Sequence, residues 1–194
     1  KAELRPFISK ASPPLFSLGF VPTMGALHTG HLSLVSAALA ENTLVVVSIF
    51  VNPTQFDNPN DLNTYPRTLT EDVQLLGTLS KTRVLVYAPT IEDVYGSQMT
   101  TDHFDFGGLE FQMEGKFRTG HFDGVGTIVK RLFEIVKPNY AYFGEKDFQQ
   151  LQIIKKMVEM SQLPVNIIGC PIERESNGLA MSSRNSRLST EEKE

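Results

Sequence analysis

The run Leu44–Val51 (LVVVSIFV) constrains the fold more than any other stretch of this chain. It is continuously apolar rather than alternating, so a strand built from it has to be covered on both faces. Strands of that kind belong to parallel sheets flanked by helices. The run is also far too short to cross a bilayer. Around it the period of the pattern switches repeatedly. Leu15–Val21 reads as a first strand closed by Pro22, and Gly30–Asn42 puts Leu32, Val35, Ala38 and Leu39 at helical spacing. Thr70–Leu79 reads as a helix with acidic residues in its first turn, and Arg83–Tyr87 as a strand. Gly124–Val136 reads as a helix, Tyr140–Phe143 as a short buried strand, Asp147–Met160 as a long helix and Val165–Ile168 as a last strand. Asn52–Arg67 is expected to be a polar loop, and Thr100–Met113 an irregular excursion or edge hairpin. The alternation predicts an α/β, Rossmann-like fold with a doubly wound parallel sheet. In such sheets ligands bind beyond the carboxyl ends of the strands.

A formal charge of −4 argues against a general nucleic-acid binder, although it leaves room for a local basic site. Cys170 is the single cysteine, so no intramolecular disulfide can form. No charged segment followed by an apolar one opens the chain, and the expectation is a cytoplasmic protein without a membrane segment. Near Thr190 a Ser/Thr-x-x-Glu pattern suggests the opening of a further helix. Residues 1–188 are therefore expected to form one domain and 189–194 the start of a second, C-terminal one.

Four loops that follow predicted strands carry chemistry. In Pro22–His31 (PTMGALHTGH), Gly25 and Gly30 let backbone approach a ligand, and the helix that follows offers N–H groups and a dipole to phosphate. His28 and His31 would face one side of that helix start and could donate a hydrogen bond, or a charge when protonated. The segment has neither P-loop nor dinucleotide spacing. Taken alone it equally describes a tight turn with two surface histidines; a metal pair would lack a third ligand nearby. In Val51–Phe56, Asn52 and Gln55 could fix hydroxyl or carboxylate groups, or simply build a turn around Pro53. In Phe143–Gln150, Lys146 stands at a strand-to-helix junction with Asp147 as expected N-cap and Gln150 one turn on. In Gly178–Asn185, Ser182, Ser183 and Arg184 suit a polyphosphate, which is gripped and released.

Together these motifs resemble the pantothenate synthetase family, within the nucleotidyltransferases related to class I aminoacyl-tRNA synthetases. HTGH is similar to the HIGH motif, and MSSR stands where relatives carry KMSKS. Further matching stretches are VSIFVNPTQF (47–56), TYPRT (64–68), EGKFRTGHFDGV (114–125) and FGEKDFQQL (143–151). The resemblance implies that ATP and pantoate give pantoyl adenylate and pyrophosphate, after which β-alanine displaces AMP. It implies an ATP loop of Met24, Gly25, Ala26, Leu27, His28, Thr29, Gly30 and His31, with His31, His28 and Lys146 catalytic. It places Gly144, Glu145, Lys146 and Asp147 on the nucleotide, the backbone near Glu173 at adenine, and Met181, Ser182, Ser183 and Arg184 over the phosphates. Gln55 and Gln150 would bind pantoate, Gln55 also lying near β-alanine, with Asn52 a weaker candidate on the same loop. Glu114, Arg118 and His121 are expected to support the site or a subunit contact. Mg2+ would ride on the phosphates without a committed protein ligand, and a homodimer is implied. A smaller C-terminal domain, absent from this chain, is part of the family pattern. Rival readings are another HIGH-type nucleotidyltransferase, a non-catalytic nucleotide-binding module and a structural role.

Overall fold

Five strands, β1 (Leu18–Thr23), β2 (Leu44–Ile49), β3 (Val84–Tyr87), β4 (Tyr140–Gly144) and β5 (Asn166–Cys170), pair in the order β3-β2-β1-β4-β5. Every pairing is parallel, as the continuous apolar run of β2 demands. The computed structural model describes residues 4, 6, 8, 16–56, 58–185, 188, 189 and 191–193. Successive residues of each strand enter opposite cores. Leu18, Phe20, Leu44, Val46, Ala141 and Phe143 face one, packed by α5 (His121–Val136) and α6 (Phe148–Met160). Val21, Val45, Val47 and Tyr142 face the other, packed by α1 (Thr29–Glu41) and α3 (Leu69–Gly77). The sheet is thus doubly wound, as its sequence predicts.

The chain reverses its direction of travel across the sheet at β1, which lies between β2 and β4. β1 follows β2 over its whole length but meets β4 only at Gly19 and Phe20. Pro22, which has no N–H to give, sits where the strands have already parted, so a proline inside a central strand costs no ladder bond. That explains why β1 runs on to Thr23, past the end expected at Val21. The expected start, Leu15, lies outside the described residues. The parting leaves a crevice at the carboxyl ends of β1 and β4, the topological switch point where ligands of such sheets sit.

Other differences have local causes. The expected loop 52–67 contains a 3-10 turn, Pro53–Gln55, and a short helix, α2 (Pro59–Thr64), started by Asn58 accepting from the Asn60 N–H with Pro59 in its first turn. A further short helix, α4 (Ile91–Tyr95), begins at a reciprocal Thr90–Asp93 capping pair. Residues 100–113 form an excursion with no strand among the described residues; Phe104 and Phe106 anchor it in the core. Helix α5 starts at His121 rather than Gly124 because Gly120, at φ +77°, turns the chain into it. A Cβ at Gly124 would come within 2.4 Å of the Thr54 carbonyl, so glycine lets α5 lie directly against the Pro53–Gln55 turn. Near the end of the chain Ser189 and Glu192 cap one another's amides; Thr190 lies outside the described residues.

Candidate active site

The switch-point crevice is lined by Met24, His28, Gly30 and His31 from the first loop, and by Gly144, Lys146, Asp147 and Gln150 after β4. Gln55 after β2 and Glu173, Met181, Ser182, Ser183 and Arg184 after β5 complete its polar wall. Loops distant in sequence meet here because all four follow strands whose carboxyl ends point the same way. Gly25, Ala26, Leu27, Thr29, Glu145 and Asn52 are not among the lining residues.

The histidines are set by backbone. His28 is the N-cap of α1 and its Nδ1 accepts from the Gly30 N–H at 3.2 Å. His31 Nδ1 accepts from the His28 N–H at 3.3 Å, and the ring centroids lie 4.1 Å apart. With both Nδ1 atoms accepting, the hydrogen-bond pattern assigns the ring protons to Nε2. The charged form is disfavoured at both. Burial, then the Lys146 charge, holds His28 below its ordinary value, against a smaller opposing pull from Glu175. Burial, followed by His28 and Lys146, brings His31 down to about 3. Near neutral pH the pair therefore offers directed N–H donors rather than the positive charge a protonated pair would supply.

A stability consequence follows. The unfolded chain takes up the His31 proton near 6.5 and the folded protein only near 3. Between those values the unfolded state holds more protons, so this group's contribution is complete above 6.5 and is lost as pH falls toward 3. Urea midpoints measured at several pH values across that window are expected to rise with pH, and His31→Gln is expected to flatten the rise. An equal slope in the variant would assign the effect to other groups.

Lys146 lies in the 3-10 turn Glu145–Asp147 and its Nζ is 3.3 Å from Asp147 Oδ1. Asp147 makes no side-chain cap to α6, contrary to its expected role. Arg184 pairs with Asp61 of α2 at 2.9 Å, and its guanidinium carbon lies 5.6 Å from the centre of the Tyr65 ring. The Tyr65 and Ser183 hydroxyls are 3.3 Å apart. The Met181 N–H donates to the Glu173 carbonyl at 3.0 Å, which fixes the MSSR loop to the segment after β5.

Gln55 is held through its backbone. Its carbonyl accepts from Arg118 at 2.8 Å and lies 3.0 Å from Nδ1 of buried His121, while Arg118 also pairs with Glu114. Arg118 and His121 thus fix the backbone of the loop that carries Gln55. Asn52 serves differently. It is fully buried, accepts from Tyr95 at 2.6 Å and from Thr54 at 3.2 Å, and donates to the Gly124 carbonyl at 3.4 Å. These bonds tie the loop to α4 and α5, and Asn52 is not among the residues that line the crevice.

Sequence reasoning passed over two features. Val125, Ile128, Val129 and Leu132 of α5 give the crevice an apolar floor; their spacing shows only a helix face, equally suited to core. Asp72, an ordinary first-turn acid of α3 in the sequence, accepts at Oδ2 from the Ala26 N–H (3.0 Å) and at Oδ1 from the Leu27 N–H (2.8 Å). Among the described residues no three His, Cys, Asp or Glu side chains are grouped to hold a metal. No helix among them is long and apolar enough to cross a membrane.

The chain is similar to known proteins along its full length. Residues 1–194 match the family model described as Pantoate-beta-alanine ligase. A pantothenate synthetase of Flavobacterium psychrophilum is 57% identical over 193 residues, which are 100% of this chain and 67% of that protein. One of Christiangramia forsetii is 61% identical over 89% of this chain and 61% of its own length. Among solved structures, a pantoate-beta-alanine ligase of Francisella tularensis, complexed with beta-gamma ATP and beta-alanine, superposes with a TM-score of 0.88. It is 44% identical, over 96% of this chain and 72% of that one. The chain thus spans about two thirds of the length of such relatives. With the parallel sheet, the switch-point crevice and these likenesses in place, the chain belongs to the pantoate-beta-alanine ligase family.

Proposed function

We propose that the crevice binds ATP and pantoate side by side and joins them, and that the full-length protein then makes pantothenate from the adenylate and β-alanine. One observation carries this reading: a single cleft is lined by two kinds of residue. His28, His31, Lys146 and the Ser182–Arg184 loop supply N–H, O–H and cationic donors suited to phosphate oxygens. Gln55 and Gln150 stand with the apolar floor of α5, which suits a short branched acid with a polar end. Residues 1–188 supply this ATP- and pantoate-binding domain.

The chemistry needs no protein nucleophile. A pantoate carboxylate oxygen attacks the α-phosphorus, the bond from that phosphorus to the bridging oxygen breaks, and pyrophosphate leaves with the electron pair. The β-alanine amine then attacks the acyl carbon, the carbon–oxygen bond to AMP breaks, and the amine loses a proton. Positioning by Gln55 and Gln150 and donation by the Nε2–H groups of His28 and His31 to developing negative charge accelerate the first step. The crevice residues fit phosphate oxygens, which would hold any Mg2+ that came with the nucleotide; such an ion would supply charge neutralisation there.

The test is to incubate the full-length protein with ATP, Mg2+ and pantoate. A burst of pyrophosphate close to one per site is expected, with turnover and AMP only when β-alanine is added. Release driven equally well by an unrelated acid would remove pantoate as the substrate, and release without any acid would remove the ligase reading. We also infer a cytoplasmic location and a homodimer, the latter supported by Phe111, Met113 and Phe117, which are exposed by 67%, 64% and 87% in one stretch. Apolar groups displayed so fully usually meet a partner. A monomer mass in sedimentation equilibrium at micromolar concentration would contradict it.

A further inference from the structure

We infer that Asp72 is a positioning residue for the histidine loop: its carboxylate occupies the loop's amide nest and so sets where His28 and His31 point. The inference deepens the ATP-site reading above and rests on it for its functional half. Gly25 and Ala26 both have positive φ, +83° and +50°. Backbone wound this way turns successive N–H groups to one side, a concavity that elsewhere receives an anion such as phosphate. Here the anion is a side chain of the protein. The Ala26 and Leu27 N–H groups donate to opposite oxygens of Asp72, and the Thr68 hydroxyl donates to Oδ1 at 3.2 Å. Asp72 is 2% exposed, so its charge is balanced by these donors and by the N-terminal turn of α3 that carries it.

Each neighbouring feature fits that function. Ala26 is a non-glycine residue in the left-handed region, a conformation that persists only when something outside the loop holds it. The Gly25 N–H is separately tied to Thr23 Oγ1 at 3.2 Å, and Thr23 donates to the Ser48 carbonyl at 2.7 Å. A Cβ at Gly25 would lie 3.0 Å from Asp72 Oδ2. The loop is therefore pinned to β2 at one end and to α3 at the other, and His28 follows Leu27 directly. Because the nest is filled, its amides are not available to the nucleotide. Two imidazoles and Lys146 line the crevice where a P-loop would offer backbone.

An asparagine at this position would turn an NH2 group toward one of the two amides while keeping nearly the same volume. The test compares Asp72→Asn with the unaltered full-length protein in two readouts. The first is the 15N spectrum of the imidazoles, with His28 and His31 expected to lose a uniform Nε2–H tautomer. The second is kinetic: the KM for ATP is expected to rise at least 10-fold with the KM for pantoate within 2-fold of the unaltered protein. A purely structural role predicts a lower melting temperature with the tautomers and the ATP KM unchanged, and that result would overturn the inference. Should Asp72→Asn fail to fold, Thr68→Val removes one donor and keeps the carboxylate. It is expected to raise the ATP KM 2- to 5-fold in the same selective way, and an unchanged ATP KM would count against Asp72. If the unaltered protein releases no pyrophosphate from ATP and pantoate, the ligase reading fails; the imidazole spectrum still decides whether Asp72 sets the loop.

Discussion

Replacing His31 by alanine in the full-length protein is expected to slow pyrophosphate release from ATP and pantoate by roughly 10²–10³-fold, the range seen when one preorganised donor to developing charge is removed. The magnitude follows from the state of the imidazole. His31 sits in the first turn of α1, its Nδ1 is occupied by the His28 amide, and burial keeps it neutral. It can then do one thing well, which is to present Nε2–H in a fixed direction without being discharged by small changes in pH. Single-turnover measurement separates this from weakened binding: the burst rate should fall more than the KM for ATP rises. A burst rate within about 5-fold of the unaltered protein would show that His31 only shapes the loop. The pH profile is a second check. Because His31 stays neutral down to about 3, the burst rate should show no loss between pH 5 and 8 attributable to it.

Lys146→Ala is expected to have a comparable effect, with kcat/KM for ATP reduced by roughly 10²-fold; a charge-assisted contact typically contributes about 1.5–3 kcal/mol, and a desolvated one more. Its consequences spread beyond its own contact. The Lys146 charge is one reason why both imidazoles resist protonation, ranking after burial at His28 and after burial and His28 at His31. Removing it should let the His28 titration midpoint move back up toward 6.5, measurable from imidazole proton shifts. The two readouts are independent. Lost turnover with an unmoved His28 midpoint would mean that Lys146 acts on phosphate alone. A moved midpoint with full turnover would remove it from the catalytic group.

Much of this was legible in the sequence, and the exceptions share a cause. The strand β2 announced itself by its β-branched run, β1 and β4 by short apolar segments, and the post-strand loops followed from the parallel sheet. The short helices α2 and α4 carried local capping signals, Asn58-Pro59 and Thr90 with Asp93, in segments too short for a clear period. Asn52 looked like a polar loop residue because its neighbours are polar, but Tyr95, Thr54 and Gly124 close over it only in the fold. The opposite happened to Val125, Ile128, Val129 and Leu132, whose spacing is the same whether a helix face meets core or crevice. Asp72 was hidden most thoroughly. Its bonds reach 45 and 46 residues back along the chain, and nothing in α3 marks it as different from Glu71 beside it.

The central position of β1 has a consequence during synthesis. Its partner β2 follows within a few dozen residues, but the bond from the Leu18 N–H to Asn139 Oδ1, at the entrance to β4, closes over 121 residues. At ribosomal speeds of 5–20 residues per second, one flank of this apolar strand stays without its neighbour for roughly 6–24 s. Until then it is an open sheet edge of the kind that invites pairing with other chains. Pro22, which has no N–H to offer on that flank, makes it a poor template. The proline that lines the crevice in the finished protein also guards the nascent one.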